Sequence, residues 1–148
     1  MNPKPDEGSP DRPMLATRRA ALALRLGLGF IWIYEGLVPK LLAPITDLER
    51  DVVAAAGLIP NGFEIPFIYV LGGLEVLLGT LIVAGIRLRP LCVVQFLVVA
   101  SFTVIIPITH PAVLSHPFGL LSKNIPILGA IVALWFVSND RAGNLVSW

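Results

Sequence analysis

Cysteine, histidine and charge are all scarce in this chain, and each scarcity excludes something. Cys92 is the single cysteine among 148 residues, which rules out an intrachain disulfide, a CxxC redox pair and a cysteine-built metal centre. A small apolar residue inside a helix is its ordinary role. The two histidines, His110 and His116, stand six positions apart and each precedes a proline. Two donors do not make the three- or four-ligand set that zinc takes, so they read as loop residues and no metal is expected. Charged side chains make up 14% of the chain, with a formal net charge of +1, so there is no basic field to attract nucleic acid. No heme, flavin or nucleotide signature and no usable internal repeat stands out.

What the chain has instead is apolar surface. Hydrophobic residues make up 55% and the mean hydropathy is +0.80, more than one soluble core can bury and natural for a bilayer. The first 19 residues are rich in proline and charge, with no apolar run at the start and no small-residue cleavage site. They read as a disordered cytoplasmic tail, not a cleaved signal peptide.

Crossing ~30 Å of hydrocarbon takes ~20 mostly apolar residues. Four segments reach or approach that length: about Ala20 to Leu42, Ile65 to Ile86, from after Pro90 to about Ile106, and from Lys123 to Val137. The expected fold is an all-helical, four-span transmembrane bundle over residues 20–138, followed by a short cytoplasmic tail at 139–148. Between the first two spans, Pro44 to Arg50 reads as the start of a short capped amphipathic helix that ends at Gly57 and lies on the membrane surface. In the fourth span, Pro126 falls where a first helical turn tolerates proline, with Ser122 or Asn124 as N-cap.

Basic residues resist translocation. Lys4, Arg12, Arg18, Arg19, Arg87, Arg89 and Arg141 fall on one side and only Lys40, Arg50 and Lys123 on the other. Both termini are therefore expected in the cytoplasm. Trp135, Trp148 and Tyr69 read either as interfacial anchors or as ordinary packing.

Gly29 and Gly36 on the first span, and Gly72 and Gly79 on the second, are candidates for close helix packing, because small residues let helices approach in lipid. Gly72, Glu75 and Gly79 share one helical face, which should meet protein. An ionisable group in the hydrocarbon costs ~2.5–3.5 kcal/mol on insertion scales, so each one needs a partner or a purpose. Glu75 lies mid-span and cannot snorkel, so it is either protonated or paired. Pro39 leaves a backbone carbonyl near Glu35 without its usual donor, so the first helix should kink or end there. Glu35, Lys40, His110, His116, Lys123 and Asn124 gather by chain position near the outer face, with Glu75 below, and form a candidate outward-opening pocket. Arg25 belongs to the other leaflet, where it can snorkel to the headgroups. Architecture is the plainer reading of each: Lys40 and Lys123 as interfacial anchors, Glu35 and Glu75 as hydrogen-bonded bundle residues.

These stretches resemble the DoxX-like family of small bacterial membrane proteins. The likeness runs from Arg25-Leu26-Gly27 to Trp32 and on through Gly36-Leu37-Val38-Pro39-Lys40-Leu41. It continues in Gly72-Gly73-Leu74-Glu75-Val76-Leu77-Leu78-Gly79, in His116-Pro117-Phe118-Gly119 and in Lys123-Asn124-Ile125-Pro126. It implies a four-helix membrane bundle in the bacterial inner membrane and directs attention to Lys40, Glu75, His116, Lys123 and Asn124. Some members of the wider family resemble subunits of thiosulfate:quinone oxidoreductase, others associate with membrane redox or detoxification complexes, and a shared fold does not fix a reaction.

Three functions follow as expectations. The favoured one is an accessory subunit that holds a partner oxidoreductase subunit, a quinone or another lipid near the polar cluster, with no cofactor of its own. A proton-linked carrier with Glu75 as the titrating group is the first alternative, and an enzyme acting on a lipid-soluble substrate through His116 or Glu35 is the second. No catalytic residue is assigned, membrane lipids are the general partners, and homo-oligomerisation stays open.

Overall fold

A computed structural model describes residues 11–57, 59–60, 62–109, 111 and 120–143. Their regular structure is helical: α1 (Asp11–Leu37) running into a π-helical turn at Val38–Leu42, α2 (Asp47–Ala55), α3 (Glu64–Ala84), α4 (Leu88–Thr109) and α5 (Leu120–Gly143).

Helix α1 starts at Asp11, nine residues ahead of the expected span, so Asp11 to Arg19 is helix and not disordered tail. Pro13 lies in the first turn, where the missing N–H has no intrahelical acceptor to lose. The alanines and leucines that follow propagate the helix readily. At the other end Pro39 cannot donate to the carbonyl of Glu35 four residues back, and the helix widens into the π turn, closed by Ala43 N–H donating to Val38 O at 2.8 Å.

The capped helix before Gly57 is α2. Thr46 N–H donates to Glu49 Oε2 at 2.8 Å while Glu49 N–H donates to Thr46 Oγ1 at 3.3 Å, a reciprocal capping box. Gly57 follows the helix in the left-handed region, at φ 64°. Helix α3 stops on Gly85, also left-handed at φ 76°, with Ile86 N–H reaching back to Leu81 O at 3.1 Å. The end of α3 is also held from outside. Arg25 Nε donates to Ile82 O at 3.2 Å, and a second guanidinium nitrogen donates to Val83 O. Snorkelling of Arg25 to headgroups is thus corrected: its donors go to the Ile82 and Val83 carbonyls at the C-terminal end of α3, where the helix dipole also favours a cation.

Because α5 opens at Leu120, Ser122 and Asn124 lie inside it and neither is the N-cap; Pro126 falls in the second turn. Two leucines extend the helix upstream, and the Asn124 side chain crosses to α4 instead of capping.

The most extensive packing joins α1 to α3; α4 pairs with α5, and α1 with α5 ties the two pairs together, while α3 and α4 barely touch. A core of Leu28, Trp32, Ile82, Cys92, Val99, Ile131 and Leu134 draws on all four long helices. Outward faces are apolar, as at Phe30, Val70, Leu97 and Phe136, an arrangement suited to lipid. Three helical stretches are long and apolar enough to cross a membrane: Met14–Leu42, Glu64–Ala84 and Leu88–Thr109. Ser122–Ser138 within α5 is a shorter apolar helix.

The α1–α3 seam is built on glycine. A methyl placed on Gly36 would stand 2.5 Å from the Gly72 carbonyl oxygen, and one on Gly79 would stand 2.7 Å from that of Gly29. The two helices therefore run antiparallel with Gly29 opposite Gly79 and Gly36 opposite Gly72, their backbones in contact. Gly73, by contrast, faces open space. Gly36→Val should lower stability by roughly 1–3 kcal/mol, the usual cost of forced overpacking, whereas Gly73→Ala should leave it equal or raise it. Thermal unfolding in one mild detergent compares the two.

Candidate functional site

The glycine seam makes room for a buried ion pair. A methyl on Gly36 would meet Glu75 Cβ at 2.9 Å and one on Gly72 would meet Lys40 Cβ at the same distance, so both charged side chains occupy space those glycines leave. Lys40 Nζ lies 2.6 Å from Glu75 Oε2, with side-chain exposures of 16% and 7%. The same ammonium donates to the backbone oxygen of Glu35 at 2.8 Å. That is the carbonyl from which Pro39 withholds an α-helical donor, so the proline and the lysine beside it act as a unit.

A second pair joins α1 to α5. Lys123 Nζ lies 2.9 Å from Glu35 Oε1, with side-chain exposures of 46% and 37%. The two pairs thus run in sequence through Glu35, whose backbone oxygen meets Lys40 and whose carboxylate meets Lys123. Glu75 abuts Gly36 across the seam, so Lys40 links its carboxylate to the backbone of the neighbouring Glu35.

Asn124, buried, donates from Nδ2 to Thr103 Oγ1 at 2.8 Å, and Thr103 in turn donates to Val99 O at 2.6 Å. Glu35, Lys40, Glu75 and Lys123 are thus brought together, with Asn124 beside them on the α4 side of Lys123. His110 and His116 lie outside the described residues. Among the described residues, no group of three His, Cys, Asp or Glu is placed to hold a metal.

Two features escaped the sequence reading. Trp32 Nε1 donates to Gln95 Oε1 at 2.9 Å inside the core, and Gln95 is fully buried. A lone glutamine in the apolar run of α4 was the available signal. The other feature is a groove of about 510 Å³ between α1 and α5, walled by apolar residues that include Ala23, Gly27 and Ala130 and ending at the Glu35–Lys123 pair. Gly27 opens it, since a methyl there would touch nothing within 4 Å.

Long helices with apolar exteriors and charges paired within define a helical integral membrane protein. The chain belongs to the DoxX-like family, whose match covers residues 29–132 and so includes both ion pairs and Asn124. Neither the curated proteins nor the solved structures offer a match.

Removing one member of a buried pair strands the other charge, at roughly 3–5 kcal/mol, whereas replacing both with apolar residues is often nearly neutral. Lys40→Met should therefore destabilise strongly, and Lys40→Met with Glu75→Leu should recover most of the loss. A double-mutant cycle on thermal unfolding in detergent reads this coupling. The same cycle on the half-exposed Glu35–Lys123 pair should give at most about 1 kcal/mol.

Proposed function

We propose that this chain is an accessory subunit of the bacterial inner membrane that holds a lipid-soluble molecule, quinone-like or another lipid, beside a partner oxidoreductase subunit. In this reading α5 supplies a fourth crossing, α2 rests on the outer surface, and both termini face the cytoplasm, in keeping with the excess of arginine and lysine on that side. Family membership and the lack of a complete catalytic constellation among the described residues support the accessory role.

The observation that carries the ligand half is the α1–α5 groove. Its volume falls within the ~300–1,000 Å³ usual for small-molecule sites, and its few polar groups stand at one end of an apolar trough, the arrangement that fixes the orientation of an otherwise apolar guest. The buried bond between Lys40 and Glu75 weighs against a proton relay through Glu75, because each transfer would have to break it.

Purification of the tagged chain from its native membrane in mild detergent should bring down oxidoreductase subunits together with a lipid-soluble ligand, identified by mass spectrometry of the protein and organic-extract fractions. A monodisperse homomer carrying neither would sink the proposal.

A further inference from the structure

We infer that the α1–α5 groove selects a neutral, single-chain amphiphile whose polar end carries a hydroxyl, in preference to one that ends in a carbonyl. The inference rests on the reading of the groove as a ligand site and, of the guests named there, favours a lipid that ends in a hydroxyl over a quinone.

Shape sets the chain. From Ala23 to Glu35 the α1 wall runs twelve residues, ~18 Å at ~1.5 Å each, slightly more than half the ~30 Å hydrocarbon thickness. Gly27 and the two alanines keep the trough wide enough for an aliphatic tail lying along the helices.

Charge sets the head. Glu35 and Lys123 sum to zero, so a charged head would bring an unmatched charge to the end of an apolar trough. A neutral head avoids that cost.

Hydrogen-bond valence chooses among neutral heads. A carboxylate only accepts and an ammonium only donates. Their mutual bond at 2.9 Å engages a single oxygen of Glu35, and both side chains remain more than one-third exposed. A hydroxyl lying across the pair donates to the carboxylate and accepts from the ammonium. A ketone or quinone carbonyl can only accept, so it gains the Lys123 contact and desolvates Glu35 without replacing the lost bonds.

The test uses the full chain in phospholipid nanodiscs, with empty nanodiscs as background and a matched pair of radiolabelled probes, 1-hexadecanol and 2-hexadecanone. The alcohol should be retained about tenfold more tightly, as expected for a hydrogen bond to a charged group. Gly27→Leu, which fills the trough from a position in open space, should abolish alcohol retention with thermal stability unchanged. In Glu35→Gln the new amide can donate to a carbonyl, so the preference for alcohol over ketone should fall to about one. Equal retention of the two probes by the unaltered chain overturns the hydroxyl preference while leaving the groove a ligand site. Retention of neither probe, or undiminished retention in Gly27→Leu, overturns the groove as the site itself. Co-purification of an oxidoreductase subunit is read separately and depends on neither probe.

Discussion

The constraint on which the rest of the structure depends is the bond between Lys40 and Glu75 inside the α1–α3 seam. A carboxylate at mid-span has no favourable place in hydrocarbon, and a single ammonium answers it only if the two backbones come close and the space beside them is vacant. Gly36 and Gly72 meet both conditions at once. A side chain on either would collide with the opposite carbonyl oxygen and with the Cβ of one member of the pair. The proline before Lys40 completes the arrangement, since the π turn it provokes leaves the Glu35 carbonyl for the lysine to bind as a third group. An ammonium with two good acceptors is better compensated for its lost hydration than one held by a carboxylate alone.

Helix α1 thereby grips α3 twice. Fifteen residues before Lys40, Arg25 holds the carbonyls at the α3 C-terminus, and Gly85 lies close against its guanidinium. Between these two polar contacts the glycine seam runs without charge. Lipid gives helices no hydrophobic reason to associate, so van der Waals contact along the seam and hydrogen bonds at its ends have to hold them together. The α4–α5 half is attached differently. Asn124 to Thr103 joins those two helices to each other, Trp32 to Gln95 ties α4 to α1, and Glu35 to Lys123 ties α5 to α1.

How much of this was legible beforehand follows from what each signal reports. The glycine spacing, the shared face of Gly72, Glu75 and Gly79, and the Thr46–Glu49 capping box are local patterns, and local geometry is what a sequence states directly. That Glu75 must have a partner could be argued from desolvation alone. Which lysine would meet it could not, because Lys40 and Lys123 both stand near helix ends within reach of a carboxylate. The glycine register decides, and register is a property of two helices together. The same holds for Arg25, whose acceptors 57 and 58 residues away are ordinary backbone carbonyls with no signature of their own. The start of α1 at Asp11 was hidden for another reason: proline and charge read as tail composition, whereas proline in a first turn is compatible with helix.

Exposure separates the two ion pairs more sharply than distance does. At 2.6 and 2.9 Å both are well formed, yet one is enclosed by glycine-packed backbone and the other stands at the end of an open trough. Gln95 shows how strictly the interior otherwise settles its polar groups. The indole N–H of Trp32 can only donate, so it fixes the orientation of the glutamine amide and turns Nε2 toward surroundings where it meets no acceptor among the described residues. That nitrogen is enclosed and can be reached only by opening the core, whereas the bonding capacity left on Glu35 and Lys123 can be reached from the groove. Of the two carboxylates in these ion pairs, the one that borders the groove is therefore Glu35.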